Sequence, residues 1–170
     1  MRGMRPLIFP ERAVGDITYI DIREAVLRRE FFLEYQPKVN LRTGRIESVE
    51  ALVRWQHSSR GRIAPDAFLP LIERTTLIGR LTDLVLSEAV AQCAAFRDQG
   101  LPVGVAVNVA PSAVTEELGG HIDRALRAHH IDAGRLTLEI TQTDVFGELA
   151  KATEILQAIG DNGVGLALDD

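Results

Sequence analysis

Ile46–Trp55, IESVEALVRW, is the stretch whose reading decides the fold. Read as a strand, its side chains alternate between two faces. Ser48, Glu50, Leu52 and Arg54 then share one face, and Val49, Ala51, Val53 and Trp55 the other. Read as a helix, it makes Glu50 and Arg54 an i,i+4 ion pair on a solvated surface, and the local sequence leaves both readings open. In a strand the two charges lie roughly 13 Å apart, at about 3.3 Å per residue, too far to neutralise each other. Each then needs its own partner, and a metal for the carboxylate and a phosphate for the guanidinium are the sharpest candidates.

Working outward, Phe31–Leu41 (FFLEYQPKVNL) is aromatic and β-branched, hence a strand. Pro37 within it implies an edge position or an irregularity, because proline donates no ladder hydrogen bond. Arg42-Thr43-Gly44-Arg45 is a turn, so the two strands are expected to form an antiparallel hairpin. Upstream, residues 1–15 read as a loose leader punctuated by Pro6, Pro10 and Gly15, with the domain over 16–170. The spacing of Ile17, Ile20, Ala25 and Leu27 predicts a helix over Ile20–Arg29.

Downstream, Gln56–Ala64 reads as loop, and Pro65 opens a helix at its first turn, where a missing N–H costs nothing. Arg80–Gln99 is amphipathic, with Leu81, Leu84, Val85, Ala89 and Phe96 inward, closed by Gly100. Strands are predicted over Val103–Val109, Arg135–Thr141 and Val164–Asp169, and helices over Pro111–His130 and Glu148–Ile159. Strand, helix, strand, helix, strand means βαβ units, a parallel sheet and right-handed crossovers.

In these three strands the bulky aliphatics fall in phase. Val103, Val105, Val107 and Val109 alternate with Gly104, Ala106 and Asn108. Leu136, Leu138 and Ile140 alternate with Thr137, Glu139 and Thr141, and Val164, Leu166 and Leu168 with Gly165, Ala167 and Asp169. Each second face carries one metal-capable oxygen ligand at or near its C-terminal end: Asn108, Glu139 or Asp169. A polar residue closing a strand is ordinarily a cap or turn residue, but three strands in phase fit a β/α barrel, where chemistry gathers at the C-terminal mouth. With Glu50 the set becomes Glu50, Asn108, Glu139 and Asp169, with Asp170 adjacent. Carboxylates gathered in one pocket stay ionised only with cations between them. All-oxygen ligands select hard ions, Mg²⁺ or Mn²⁺.

Composition agrees with a folded enzyme-sized domain. The 170 residues are 46% hydrophobic and 25% charged, with a net charge of −5, which argues against a DNA-binding surface. The single cysteine, Cys93, excludes an intrachain disulfide and a cysteine zinc cluster and reads as a small core residue. No stretch has the apolar length of a membrane span and MRGMRPLIFP lacks a signal-peptide core, so the cytoplasm is the default. His121, His129 and His130 lie on or beside a polar helix, and none shows metal-ligand spacing with the strand ends; His57 follows Trp55-Gln56 in a loop within reach of the mouth, and nothing requires it there. Gly163 and Gly165 belong to a turn and a strand, not to a phosphate-binding loop.

Several motifs together now resemble a known family. Tyr35-Gln36-Pro37, Glu50 through His57 (EALVRWQH), Val107-Asn108-Val109, Leu138-Glu139-Ile140-Thr141 and Ala167-Leu168-Asp169-Asp170 are similar, in order and spacing, to the EAL domain of bacterial cyclic-di-GMP phosphodiesterases. Pro65-x-x-Phe68-x-Pro70 and Glu73 resemble the segment after its second strand. The resemblance runs from about Ile20 to the last residue.

It implies an α/β fold, a modified TIM (β/α)₈ barrel with an antiparallel first strand, here covering about five strands of eight. It implies that Glu50, Asn108, Glu139 and Asp169 hold one Mg²⁺ or Mn²⁺, and that Asp169 and Asp170 help to hold a second. It assigns cyclic-di-GMP contacts to Gln36, Leu52 and Arg54, and hydrolysis to the linear dinucleotide pGpG by two metals.

Two departures accompany it. Gln142 stands where the family's E-x-T-E pattern has a second glutamate. The family's Phe-Gly-Thr-Gly loop, catalytic lysine, later metal-binding glutamate and three further strands have no counterpart up to Asp170, so no catalytic lysine is assigned, the second metal site is incomplete, and this stretch alone is expected to be inactive. A non-catalytic module that binds cyclic-di-GMP or a protein partner is the alternative. A homodimer and attached sensory domains are partners the family allows.

Overall fold

The computed structural model describes residues 17–141 and 149–169. Ile46–His57 is a strand, β2, which resolves the ambiguity of that stretch. The reason is its partners. Phe31–Val39 forms β1 and lies antiparallel beside it, with Gln36 opposite Glu50 and Glu34 opposite Leu52. On β2's other edge Val49 and Ala51 pair in parallel with Val105 and Val107 of β4, Gly104–Val109. Burial then follows the alternation: Val49, Ala51 and Trp55 are buried, while Glu50, Leu52 and Arg54 remain partly open on the opposite face.

One segment departs from the expected loop over Gln56–Ala64. β2 runs on to His57, and Gly61–Ile63 returns as a short antiparallel strand, β3, pairing Gln56 with Arg62. The turn is closed by His57, whose Nδ1 accepts from the backbone N–H groups of Ser59 (3.1 Å) and Arg60 (3.3 Å), and Gly61 takes a positive φ of 77°. His57 is therefore a turn residue.

The remaining order is β4, β5 (Leu136–Thr141) and β6 (Gly165–Asp169), all parallel, giving a sheet β1-β2-β4-β5-β6 with β3 beside β2. Asn108 is in register with Glu139, and Thr141 with Asp169. β1 is an edge strand, as Pro37 required, and β6 is the other edge; the sheet does not close among the described residues.

The helices cover the aliphatic face. α1, Tyr19–Arg28, starts at a capping box: Thr18 Oγ1 accepts from Asp21 N–H (3.3 Å) and Asp21 Oδ2 accepts from Thr18 N–H (2.9 Å). Its buried residues are Ile22 and Ala25, whereas Ile20 and Leu27 are exposed. α2, Pro65–Ile72, opens on Pro65, and α3, Leu77–Asp98, carries buried Leu81, Val85, Ala89 and Cys93. α4, Glu116–His129, follows a 3₁₀ turn at Pro111–Ala113, and α5 is Leu149–Asp161.

Phe68 of α2 packs with Trp55 of β2 and Phe31 of β1 in an aromatic cluster with ring centroids 5.3–5.6 Å apart. Each fully buried side chain of this size contributes about 1.5–3 kcal/mol relative to exposure. Small residues on the inner face are small for a steric reason: a Cβ on Gly165 would lie 2.8 Å from Thr137 Oγ1 on the neighbouring strand.

Candidate functional site

Parallel strands bring their C-terminal ends to one edge of the sheet, and β2, β4 and β5 there present Glu50, Asn108 and Glu139 on a common face. Glu50 stands opposite Ala106, two residues before Asn108, so its contact with Asn108 is diagonal, whereas Asn108 stands directly opposite Glu139. Asn108 Nδ2 donates to Glu50 Oε1 at 2.7 Å. From β1, Lys38 Nζ lies 3.7 Å from Glu50 Oε2 and hydrogen-bonds Glu139 Oε1. Both carboxylate side chains are sequestered, 21% exposed for Glu50 and 13% for Glu139. Burial pushes the Lys38 ammonium down, but its hydrogen bond to Glu139 and its attraction to Glu139 and Glu50 outweigh that, leaving it above the ordinary lysine range.

Asn108 Oδ1 is the unsatisfied atom of the group. It is buried and has no hydrogen-bond partner among the described residues, a condition that ordinarily costs about 1–3 kcal/mol. Two carboxylates, an orphaned amide oxygen and no nitrogen or sulfur ligand are the donor set of a hard divalent cation. Among the described residues no three or more His, Cys, Asp and Glu side chains stand together in a metal-binding arrangement; this cluster has two such carboxylates, and its third oxygen is an amide. Asp169 pairs with Thr141 through its backbone in β6, and its side chain lies outside the description. Asp170 and Gln142 lie outside the described residues.

The expected ligand residues fall on the same face. Gln36 is exposed on β1 opposite Glu50, and Leu52 is half-buried opposite Glu34. Arg54 is held by Glu34: Arg54 Nε donates to Glu34 Oε2 at 2.8 Å, and Arg54 Nη1 to the Val53 carbonyl at 2.9 Å. Arg62, across β3, forms an ion pair with the other Glu34 oxygen and lies 5.7 Å from the centre of the Phe32 ring. The hydrogen bond from Arg62 and, against the effect of burial, that from Arg54 hold the Glu34 carboxyl below the usual range. Beside Arg54 a cavity of about 280 Å³ opens between the β2 and β4 ends and α2 and α3, lined by Leu52, Arg54, Glu73, Thr82, Asn108 and Ala110 among others.

Glu50 and Arg54 thus have separate partners, as a strand demanded, but in this structure those partners are protein groups. Lys38, Glu34 and Arg62 were missed by reading the sequence. A signal for the first two was present: Glu34 and Lys38 flank Gln36 at spacing two, so any strand that turns Gln36 inward turns them inward too. The histidines stay apart from the cluster; His121 pairs with Asp83 between α4 and α3.

A model of the EAL domain matches residues 20–170. A cyclic di-GMP phosphodiesterase of Pseudomonas aeruginosa is 38% identical over 143 residues, covering 82% of this chain and 24% of that protein. The bifunctional diguanylate cyclase/cyclic di-GMP phosphodiesterase MucR of Pseudomonas aeruginosa is 38% identical over 154 residues, 88% of this chain and 22% of that protein. The chain therefore spans about a quarter of the length of these relatives. Among solved structures, the PaMucR phosphodiesterase in complex with c-di-GMP superposes with a TM-score of 0.81 at 36% identity, over 89% of this chain and 62% of that one. An EAL domain protein from Listeria monocytogenes superposes at 0.72 with 27% identity, over 92% of this chain and 61% of that one. With its antiparallel first strand and a match over all but its first 19 residues, the chain belongs to the EAL domain family.

Proposed function

We propose that this chain is the metal-binding and dinucleotide-binding part of a cyclic-di-GMP phosphodiesterase domain, a barrel of the TIM type working in the cytoplasm. The observation that carries the reading is the convergence of Glu50, Asn108 and Glu139, joined by the Asn108–Glu50 hydrogen bond and by Lys38, with the buried Asn108 amide oxygen left without a partner among the described residues. Glu50, Asn108 and Glu139 would hold one Mg²⁺ or Mn²⁺ together with Asp169, and Asp169 and Asp170 would contribute to a second. Held there, the ions would supply activation of water and neutralisation of charge on the attacking and leaving oxygens of an in-line displacement at phosphorus.

The chain's own residues do the rest. Arg54, oriented by Glu34, offers its guanidinium to a phosphate. Leu52 and the adjoining 280 Å³ cavity receive apolar and planar parts of the dinucleotide, and Gln36 binds from the opposite edge. In the reaction, water adds across one phosphodiester bond: hydroxyl goes to phosphorus and a proton to the leaving ribose oxygen, giving the linear dinucleotide. No residue up to Asp170 matches the family's catalytic lysine, so the 170 residues alone are expected to bind without turnover. Gln142, standing where the family's E-x-T-E pattern has a second glutamate, favours the alternative of a non-catalytic cyclic-di-GMP-binding module.

Calorimetry with Mn²⁺ and cyclic-di-GMP tests the assignment. Glu50→Ala is expected to abolish Mn²⁺ binding. Arg54→Ala should weaken dinucleotide binding by at least about tenfold, the equivalent of ~1.4 kcal/mol, while leaving Mn²⁺ affinity nearly unchanged. Loss of both ligands in Arg54→Ala would make Arg54 a structural residue of the mouth, and a wild-type chain that binds neither ligand would refute the reading. Chromatographic detection of the linear dinucleotide from the 170-residue protein would overturn the expectation of inactivity.

A further inference from the structure

We propose that Lys38 is the built-in counter-cation of this site: a positioning residue whose ammonium holds Glu50 and Glu139 together in the metal-free protein and gives up that place to a divalent ion, so that it sets how tightly the ion is held. The inference rests on the metal-site reading above and adds to it a competitor supplied by the chain itself.

Four observations carry it. Lys38 reaches the two carboxylates from β1, 101 residues away from Glu139, with Glu139 in direct hydrogen bond and Glu50 at 3.7 Å. Two sequestered carboxylates facing each other repel unless a positive charge stands between them, and among the described residues Lys38 is the cation paired with both. The ammonium leaves Asn108 Oδ1 unsatisfied, so a divalent ion gains one more ligand and a second charge, which is why it displaces the lysine. The Lys38 side chain is 38% exposed, against 13% for Glu139, so the displaced ammonium has water beside it.

The residue type fits the role. Lys38 and Lys151 are the only lysines among 19 basic residues. An ammonium is a compact point charge on a flexible stem, whereas a guanidinium grips carboxylates in a rigid two-pronged fork. A counter-cation that must leave is better built from lysine.

The test removes the charge and keeps the stem. In Lys38→Met the metal-free protein should melt a few degrees lower, because the carboxylates lose their counter-charge. Mn²⁺ affinity, read by calorimetry, should rise about tenfold or more, because the competitor and the nearby positive charge are gone. Lys38→Arg should restore the metal-free melting temperature and hold Mn²⁺ affinity at or below the wild-type value.

A lysine with a merely structural role would give unchanged or weaker Mn²⁺ binding in Lys38→Met, and that result overturns the inference while leaving the metal site standing. A wild-type protein that binds no Mn²⁺ overturns both. If Lys38→Met does not fold, the wild-type protein decides the matter by ¹³C-dimethylation of its amines. The Lys38 methyl signal, distinguished from those of Lys151 and the α-amino group, should shift on adding Mg²⁺, and an unmoved signal at saturating Mg²⁺ refutes displacement.

Discussion

β5 and β6 carry the same alternation of leucine with small or polar residues, and the two meet opposite fates. Leu138 and Ile140 in β5 are buried, whereas their partners across the ladder in β6, Leu166 and Leu168, are 44% and 77% exposed. Only Val164, just ahead of β6, is buried there. The difference lies in cover. β5 has strands on both sides and helices over its aliphatic face, while β6 is an edge whose outer N–H and C=O groups face no strand among the described residues. Periodicity marks which face is apolar; the neighbours determine whether that face is worth anything to stability.

The comparison is broken most sharply from the covered side. Leu138→Ala should destabilise the protein by about 2–5 kcal/mol in urea denaturation, the range for deleting a leucine side chain from a packed core. A loss below ~0.5 kcal/mol would mean that β5 is no better covered than β6.

Trp55→Phe probes a covered position sealed by a polar contact. The indole Nε1 donates to Glu30 Oε2 at 2.9 Å, and its removal leaves that carboxylate short of a donor. The expected cost is about 1–3 kcal/mol. Glu30→Gln in the Trp55→Phe background should then cost less than it does in the wild type, and equal costs would deny the coupling.

Acid stability follows from the carboxylates that the fold stabilises in their ionised form. Burial raises Glu30, but hydrogen bonds from Trp55 and Ser58 outweigh it and its pKa is lowered; Glu34 is lowered chiefly by Arg62. Because both folded values lie below the ordinary 4.5, the unfolded chain takes up protons first as pH falls. Their stabilisation is therefore complete above about pH 4.5 and is lost as pH falls through the folded values. Glu34→Gln should flatten the acid limb of a Tm–pH profile below pH 4.5, and an unchanged limb would remove Glu34 from that account.

The smallest effect is expected at the exposed edge. Leu168→Lys should change unfolding free energy by no more than ~0.5 kcal/mol yet reduce aggregation seen by light scattering, since a charged edge resists strand pairing between molecules. A large loss of stability there would show that Leu168 has cover it lacks in this structure.

Much of this architecture was written locally. Alternation in IESVEALVRW and in the three later strands identified the inner face, Pro37 marked the edge, and Pro65 and Gly100 marked helix ends. The same alternation placed Asn108, Glu139 and Asp169, whose side chain lies outside the description, at or near strand ends and grouped Glu50 with them. It did not decide between strand and helix for β2, and it misread Gln56–Ala64, where the short β3 is held by pairing and by the His57 turn and not by its own three residues.

What only the tertiary structure decided is who partners whom. Lys38 meets Glu139 across 101 residues, Glu34 divides itself between Arg54 and Arg62, and Leu168 is exposed while Leu138 is buried. The physical reason is a difference of range. Side-chain alternation is a property of the extended backbone and can be read from consecutive residues. Pairing of charges and cover of aliphatics depend instead on strand order, register and the placement of helices, which no single segment contains.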